Sequence, residues 1–351
     1  MRSQFSASTG MAAFVQKAEA MTTVRRGARL FLLIAGLTVL GTLVWRNDPM
    51  VLLDSVRQLS WWRVLIVVAF PFALVNLLDT LGWRFAFRRD GVPIRTLFSA
   101  RLAGEAFNLT TPTASIGGEA VKAWLVRRHV GYDESFPSVI VAKTTITIAQ
   151  GLLLLVGLSF AWVLLPHDSP LLRAMLWLLG VEVLAVAAFV VAQVSGAMGG
   201  GGRALARVPR LTHLATRLGR VGDSLAQFYR TEPARLTLSI LFHFLGWLLG
   251  ALEAWLILNL LGVEVSLVTA TVIEAFSTAI RFATFMVPAS LGALEGGHMV
   301  VFAALGLGAS LGMSFSLVRR LREATWIGVG LLALAADGTM PIRTAAARPD
   351  S

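Results

Sequence analysis

The chain has no cysteine. That excludes a disulfide framework, a thiolate metal site and thiol catalysis, and it leaves the redox compartment unmarked. Charge is also scarce. Asp, Glu, Lys and Arg make up 15% of the 351 residues, against about 25% in an average soluble domain. Apolar residues make up 56%. Such a surface cannot be solvated by water, but lipid can cover it. Several runs approach the roughly 20 apolar residues that cross a bilayer core of about 30 Å. The sequence has no His-Glu-x-x-His, phosphate loop or acidic metal cluster, so no metal or cofactor is expected. The net charge of +11 comes mainly from arginines in short connections. That is a topology signal first and an attraction to anionic lipid second. No basic folded face is present for nucleic acid.

The hydropathy pattern predicts an all-α polytopic membrane protein. About seven spans are expected, near 29–45, 61–87, 136–165, 171–194, 235–261, 266–285 and 312–336. Residues 1–28 form a polar N-terminal segment, and Met21 is an alternative start. The apolar stretch from Leu30 has no small-residue cleavage site after it, so it reads as a retained anchor. A single membrane domain, 29–338, divides into halves of about 29–195 and 234–338, joined by a basic loop at 196–233; residues 339–351 are a tail. Within the loop Leu211, Leu214, Leu218, Val221, Leu225 and Phe228 recur at three and four, beside Arg217, Arg220 and Arg230. This is an amphipathic helix, lying either on anionic lipid or against the protein.

Arg-rich connections favour the cytoplasm. Arg25 to Arg29, Arg88 to Arg95, Arg127 and Arg128, the 203–235 stretch and Arg343 should share that side, with Asp48, Asp168 and Glu264 outside. The expected location is a bacterial inner membrane with the N-terminus cytoplasmic. Arg319, Arg320 and Arg322 are the misfit, near the outer start of the last span.

Two regions are too polar and too broken for plain spans. Residues 96–129 hold Glu105, Asn108, a Thr110-Thr111-Pro112-Thr113 turn, Gly117-Gly118-Glu119 and Lys122. Residues 286–308 follow Arg281 and hold Pro288, Gly292, Glu295 and His298. Seven residues separate Pro112 from Glu119 and Pro288 from Glu295; seven also separate Glu105 and Arg281 from their prolines. Broken backbone at membrane depth survives only where protein or a wet cavity surrounds it. Paired proline-interrupted segments point to an inverted repeat. The expectation is two re-entrant broken-helix hairpins, the first from the cytoplasmic side and the second from the outer side. The other reading of 96–129 is an ordinary cytoplasmic loop between two short helices.

The run Asn108-x-x-x-Pro112-x-x-x-x-Gly117-Gly118-Glu119, with Lys122 and Arg127-Arg128, resembles the signature of the flippase-like membrane family that includes the transmembrane half of lysylphosphatidylglycerol synthase. Pro288-x-x-x-Gly292-x-x-Glu295 resembles the family's second element, usually Pro-Gly-x-Leu-Gly-x-x-Glu, with Ala289 in place of the glycine. Lys143 stands near an Arg of the family. The resemblance covers residues 30–336 and has no counterpart to the family's aminoacyl-transfer domain. It implies movement of an anionic or polar-headgroup lipid, not lysine transfer, and no catalytic residue. Lys122, Lys143 and Arg281 would attract phosphate, and Glu105, Glu119 and Glu295 would hold those cations or carry protons. Asn108, Thr111, Pro112, Gly117, Gly118, Pro288 and Gly292 complete the expected site. The expected partner is a membrane phospholipid or other polar lipid, with a second copy or a lipid-biosynthesis protein beside it. The alternatives are an intramembrane lipid-modifying enzyme, with Glu119 or Glu295 as acid or base, and a non-transporting accessory subunit. Weaker signals read as structural: Gly308-x-Ser310-x-Gly312 lacks a strand-to-helix turn, Gly246 with Gly250 and Gly292 with Gly296 read as helix packing, and His298 reads as a helix-end residue.

Overall fold

The computed structural model describes residues 61–110, 117–195 and 212–336. The expected first span at 29–45, the turn holding Thr111 and Pro112, and the start of the basic loop lie outside the described residues. The rest is helical: α1 Trp61–Phe85, α2 Ile94–Thr110, α3 Gly117–Val130, α4 Tyr132–Leu164, α5 Pro170–Val194, α6 Thr212–Thr231, α7 Pro233–Leu260, α8 Leu267–Ala283, a 3-10 turn Pro288–Ser290, α9 Ala293–Ala304 and α10 Ala309–Ala336. No strand occurs among the described residues.

Local chemistry sets the boundaries. Pro170 and Pro233 open α5 and α7, where a missing N–H costs nothing. Ser266 caps α8 by accepting the Thr269 N–H at 3.1 Å. Three helices, α4, α5 and α7, are long and apolar enough to cross a membrane by length and composition. α1 and α10 are as long but carry charges along their length. α8 has 17 residues and extends roughly 26 Å at 1.5 Å per residue. It occupies the span expected at 266–285, stops at Ala283 and packs against α9, so the two helices flank the Pro288–Ser290 turn of the second broken element.

The helices pack in an exchanged pattern. α1 lies along α7, α2 along α10, and α8 along α4. The first arm of each broken element therefore rests on a long helix of the other half. Glycines permit the approach. A Cβ on Gly330 of α10 would strike the Leu102 carbonyl and Ala106 of α2, and one on Gly157 of α4 would strike Ala275 of α8.

The basic connections gather at one end. Arg235 donates to the Phe87 carbonyl at 2.6 Å and to Asp90 at 2.7 Å, and Arg84 donates to Asp90 at 2.8 Å. The Arg84 bond, then the Arg235 bond, holds the Asp90 carboxyl below its ordinary value. Arg88 reaches Gln227 at 3.0 Å, and Arg220 reaches Asp133 at 3.1 Å. Leu225 and Phe228 of α6 are buried in the same cluster as Trp83, Phe87 and Leu97. This part of α6 packs on the protein. At the other end Leu165, Leu171, Leu258 and Leu305 share a second core. α2 and α3 share core residues with the basic end, and α8 and α9 with the opposite core.

The absence of cysteine makes the sidedness directly measurable. A single cysteine at Thr231, exposed at the basic end, should stay unlabelled by an impermeant thiol reagent in intact cells. One at Asp168, exposed at the other end, should label. The reverse pattern would invert the topology.

Candidate functional site

An arginine in hydrocarbon is stable only when paired or hydrated. α10 carries three, at 319, 320 and 322, about 15–20 Å from its start at 1.5 Å per residue. That depth resolves the misfit: these groups belong to the interior. Each finds a carboxylate on another helix. Arg319 pairs with Glu274 of α8 and also donates to the Gly250 carbonyl at 3.3 Å. Arg322 pairs with Glu253 of α7 and lies over the Phe72 ring at 4.2 Å. Arg281 of α8 pairs with Glu323. Arg320 donates to Glu295 of α9 at 2.6 Å and to Glu323 at 2.7 Å. Gly250 lacks a side chain where the Glu274 carboxylate lies, so a Cβ there would sit 2.8 Å from its oxygen.

A second cluster joins α1, α2 and α7. Asp79 pairs with Arg101 and accepts the Nδ1–H of His243 at 3.0 Å. Beside it, the Gly118 N–H donates to Asn108 Oδ1 at 2.7 Å, and Lys122 Nζ donates to Glu119 at 3.0 Å. Gly104 and Gly118 meet backbone to backbone, with no room for a Cβ on either. α2 and α3 can close on each other only because these two positions are glycine.

The two clusters border one cavity of about 830 Å³. Its charged lining is Arg101, Lys143, Arg281, Arg319 and Arg322 with Asp79, Glu105, Glu253, Glu274 and Glu323. Among the described residues five cations face five carboxylates, so this part of the wall is close to neutral. Val181, Phe189, Phe285 and Met286 form apolar parts of the wall, and Phe285 and Met286 are 57% and 61% exposed. A recess of about 70 Å³ shares Asp79, Arg101, Glu105 and Lys143 with the cavity and adds Glu119 and Lys122. Both broken elements reach this space: Asn108 and Leu109 at the end of α2, and Val287, Ala289 and Ser290 at the second turn. The end of α2 packs directly on the Pro288–Ser290 turn.

Of the residues expected from sequence, Glu105, Asn108, Lys143 and Arg281 line the cavity, and Glu119 and Lys122 line the recess. Gly117 and Gly118 open α3. Glu295 lies off both walls and is fully buried. Its Oε2 accepts the Gly292 N–H at 2.8 Å, and its Oε1 takes Arg320. It clamps the turn at Pro288. Gly292, with φ 76°, starts α9, and Gly297 of the same helix leaves room for Ile280. His298 sits between Ser277 at 2.7 Å and Ser316 at 2.6 Å, a buried tie among α8, α9 and α10. Ser310 is exposed in the first turn of α10. Sequence reasoning passed over Asp79, Arg101, His243, Glu253 and Glu274. The available signal was a lone ionisable group inside an apolar run, as in Glu253 and Glu274.

The second turn is strained. Ala289 and Ser290 both have φ 50°, in the left-handed region. Arg320 donates to the Ala289 carbonyl at 2.9 Å, and Thr284 Oγ1 donates to Ser290 Oγ at 2.8 Å. Ala289 holds the position where the resembled pattern has glycine, and its backbone is one that glycine adopts freely.

Residues 29–332 match the model of a family described as the lysylphosphatidylglycerol synthase TM region. A similar curated protein is a UPF0104 membrane protein of Methanothermobacter thermautotrophicus, 26% identical over 308 residues, covering 83% of this chain and 89% of that one. No solved structure matches the chain.

Two stability measurements follow. Arg322→Met leaves Glu253 buried without its cation, and should cost on the order of 3–5 kcal/mol in thermal or denaturant unfolding in detergent. Removing Glu253 as well should recover part of that loss. Ala289→Gly should stabilise by about 1 kcal/mol, since it relieves a left-handed alanine. A lowered melting temperature for Ala289→Gly would show that the turn is not strained.

Proposed function

The chain belongs to the family of the lysylphosphatidylglycerol synthase TM region, and from that membership and the cavity we propose that it moves an anionic or other polar-headgroup lipid across the membrane. The observation that carries this reading is the make-up of the wall. Paired charges line one part, and exposed apolar side chains, Phe285 and Met286, line another. A headgroup fits against the first while acyl chains stay against the second.

The α2–α3 and α8–α9 pairs act as re-entrant hairpins of two inverted halves, with their broken tips meeting at the cavity. The exchanged packing of α2 on α10 and α8 on α4 supports that arrangement. Because the wall is near neutral, a headgroup trades partners with existing pairs and adds no net charge to the interior. Lys143 makes no ion pair or hydrogen bond through its ammonium with another described residue and is the first point for a phosphate. Arg281 and Lys122 already hold Glu323 and Glu119, so they contribute only when those pairs open. No observation of the site favours a lipid-modifying enzyme or a non-transporting subunit.

The test is reconstitution into liposomes with a fluorescent phospholipid in both leaflets and an impermeant quencher outside. Protein-containing vesicles should lose more signal than empty ones, with no new covalent lipid product. Lys143→Met should slow movement of anionic headgroups about tenfold, the effect of a charge-assisted bond near ~1.5 kcal/mol. Quenching equal to empty vesicles would overturn the transport reading, and a new lipid product would replace it with an enzyme.

A further inference from the structure

Glu182 takes no part in these networks. It is 1% exposed, and neither carboxyl oxygen has a hydrogen-bond partner among the described residues. The other buried acids, Asp79, Glu253, Glu274, Glu295 and Glu323, each face an arginine. Glu182 lies in the middle of α5, whose only other ionisable residue is Arg173, near its start. Opposite it stands Gly151 of α4, where a Cβ would lie 3.8 Å from the Glu182 carboxyl carbon. Among the described side chains, the charged groups on the elements packed against α5 are Asp133, Glu134 and Lys143 on α4, Arg220, Asp223 and Arg230 on α6, and Glu274 and Arg281 on α8. None of them acts on Glu182; burial alone sets its surroundings.

An ionised carboxylate with no cation and no donor is too costly for such a place. A neutral carboxyl is tolerated there. The position also borders the site, because Val181, Ala185 and Val186 on the same stretch of α5 line the large cavity. Any shift of α5 with the contents of the cavity moves Glu182 relative to water.

We propose that Glu182 is a proton-binding site that couples lipid movement to a proton gradient. In the dry state it holds its proton as a neutral carboxyl. When α5 shifts and water reaches the side chain, the O–H bond breaks heterolytically. The proton passes to water and the electron pair stays on the carboxylate. A proton taken up from the opposite side of the membrane restores the neutral form and allows the dry state to return. The coupling rests on the translocation reading; the proton site does not.

Dicyclohexylcarbodiimide separates the two. It enters bilayers and reacts with protonated carboxyls in apolar surroundings, giving a stable N-acylurea. In the full chain in liposomes, peptide mapping should find the adduct at Glu182. The ion-paired Glu253, Glu274 and Glu295 should stay unmodified, and Glu182→Gln should lose the adduct while keeping its thermal unfolding midpoint. An imposed gradient of one pH unit should shift the leaflet distribution of the fluorescent lipid by up to about tenfold for one proton per lipid. Glu182→Gln should be indifferent to the gradient. No adduct at Glu182 overturns the proton site, and an equal gradient response in the wild type and Glu182→Gln overturns the coupling. An adduct at Glu182 in a protein that moves no lipid under any gradient supports the proton site and overturns the translocation reading.

Discussion

The structure depends on one constraint, that a guanidinium held away from water must have a carboxylate. α10 meets it by reaching in four directions. Arg319 takes Glu274 of α8, Arg322 takes Glu253 of α7, Arg320 takes Glu295 of α9, and Glu323 receives Arg281. Hydrocarbon offers helices no hydrophobic reason to associate, so packing and polar contacts between them decide the arrangement. Leucine faces alone would leave α7, α8 and α10 free to rotate. The ion pairs remove that freedom, because a turned helix would leave a charge unpaired.

Close approach serves the same constraint. A carboxylate reaches its arginine only if the backbones are near, and glycine supplies the space. Gly250 makes room for Glu274, and Gly246 makes room for Asp79. Gly104 and Gly118 let the first hairpin close so that Asn108 can hold the start of α3. The second hairpin uses a different device. Its turn is left-handed at Ala289 and Ser290, and Arg320 and Glu295 tie it to α10 and to the start of α9.

This difference shows what was legible in the sequence. The long apolar helices α4, α5 and α7 were legible because apolar runs of that length have few other uses, whereas the expected span at 266–285 is a helix of only 17 residues. Glu119 and Glu295, which share the spacing of seven from a proline, both stand in the first turn of their helices. That spacing did not reveal their unlike surroundings, one in a recess beside Lys122 and the other sealed behind the wall. Partners were illegible for a physical reason. Arg322 and Glu253 stand 69 residues apart, and Arg319 and Glu274 45 apart. Nothing local to either residue specifies the other. The misfit of the three arginines against the topology was one trace of that network, beside the lone acids in apolar runs, since charges at depth violate a surface rule only when an interior partner exists.

The same pairs bear on how a polar headgroup would cross in the proposed transport. A wall of unpaired cations would bind phosphate too firmly to release it, and an apolar wall would not admit it. A wall of matched pairs avoids both extremes. On the proposed reading, a headgroup would replace one member of a pair, and the displaced residue would turn to a neighbour that is already near. Glu323 lies within reach of Arg281, Arg320 and Arg322. Arg101 feels Glu105 and Glu119 as well as its partner Asp79. Such sharing lets contacts change without any charge standing alone in the low dielectric, and that is the condition for passage through it. The arrangement that holds the helices in register is in this way also the one that would exchange partners with a phosphate in the proposed transport.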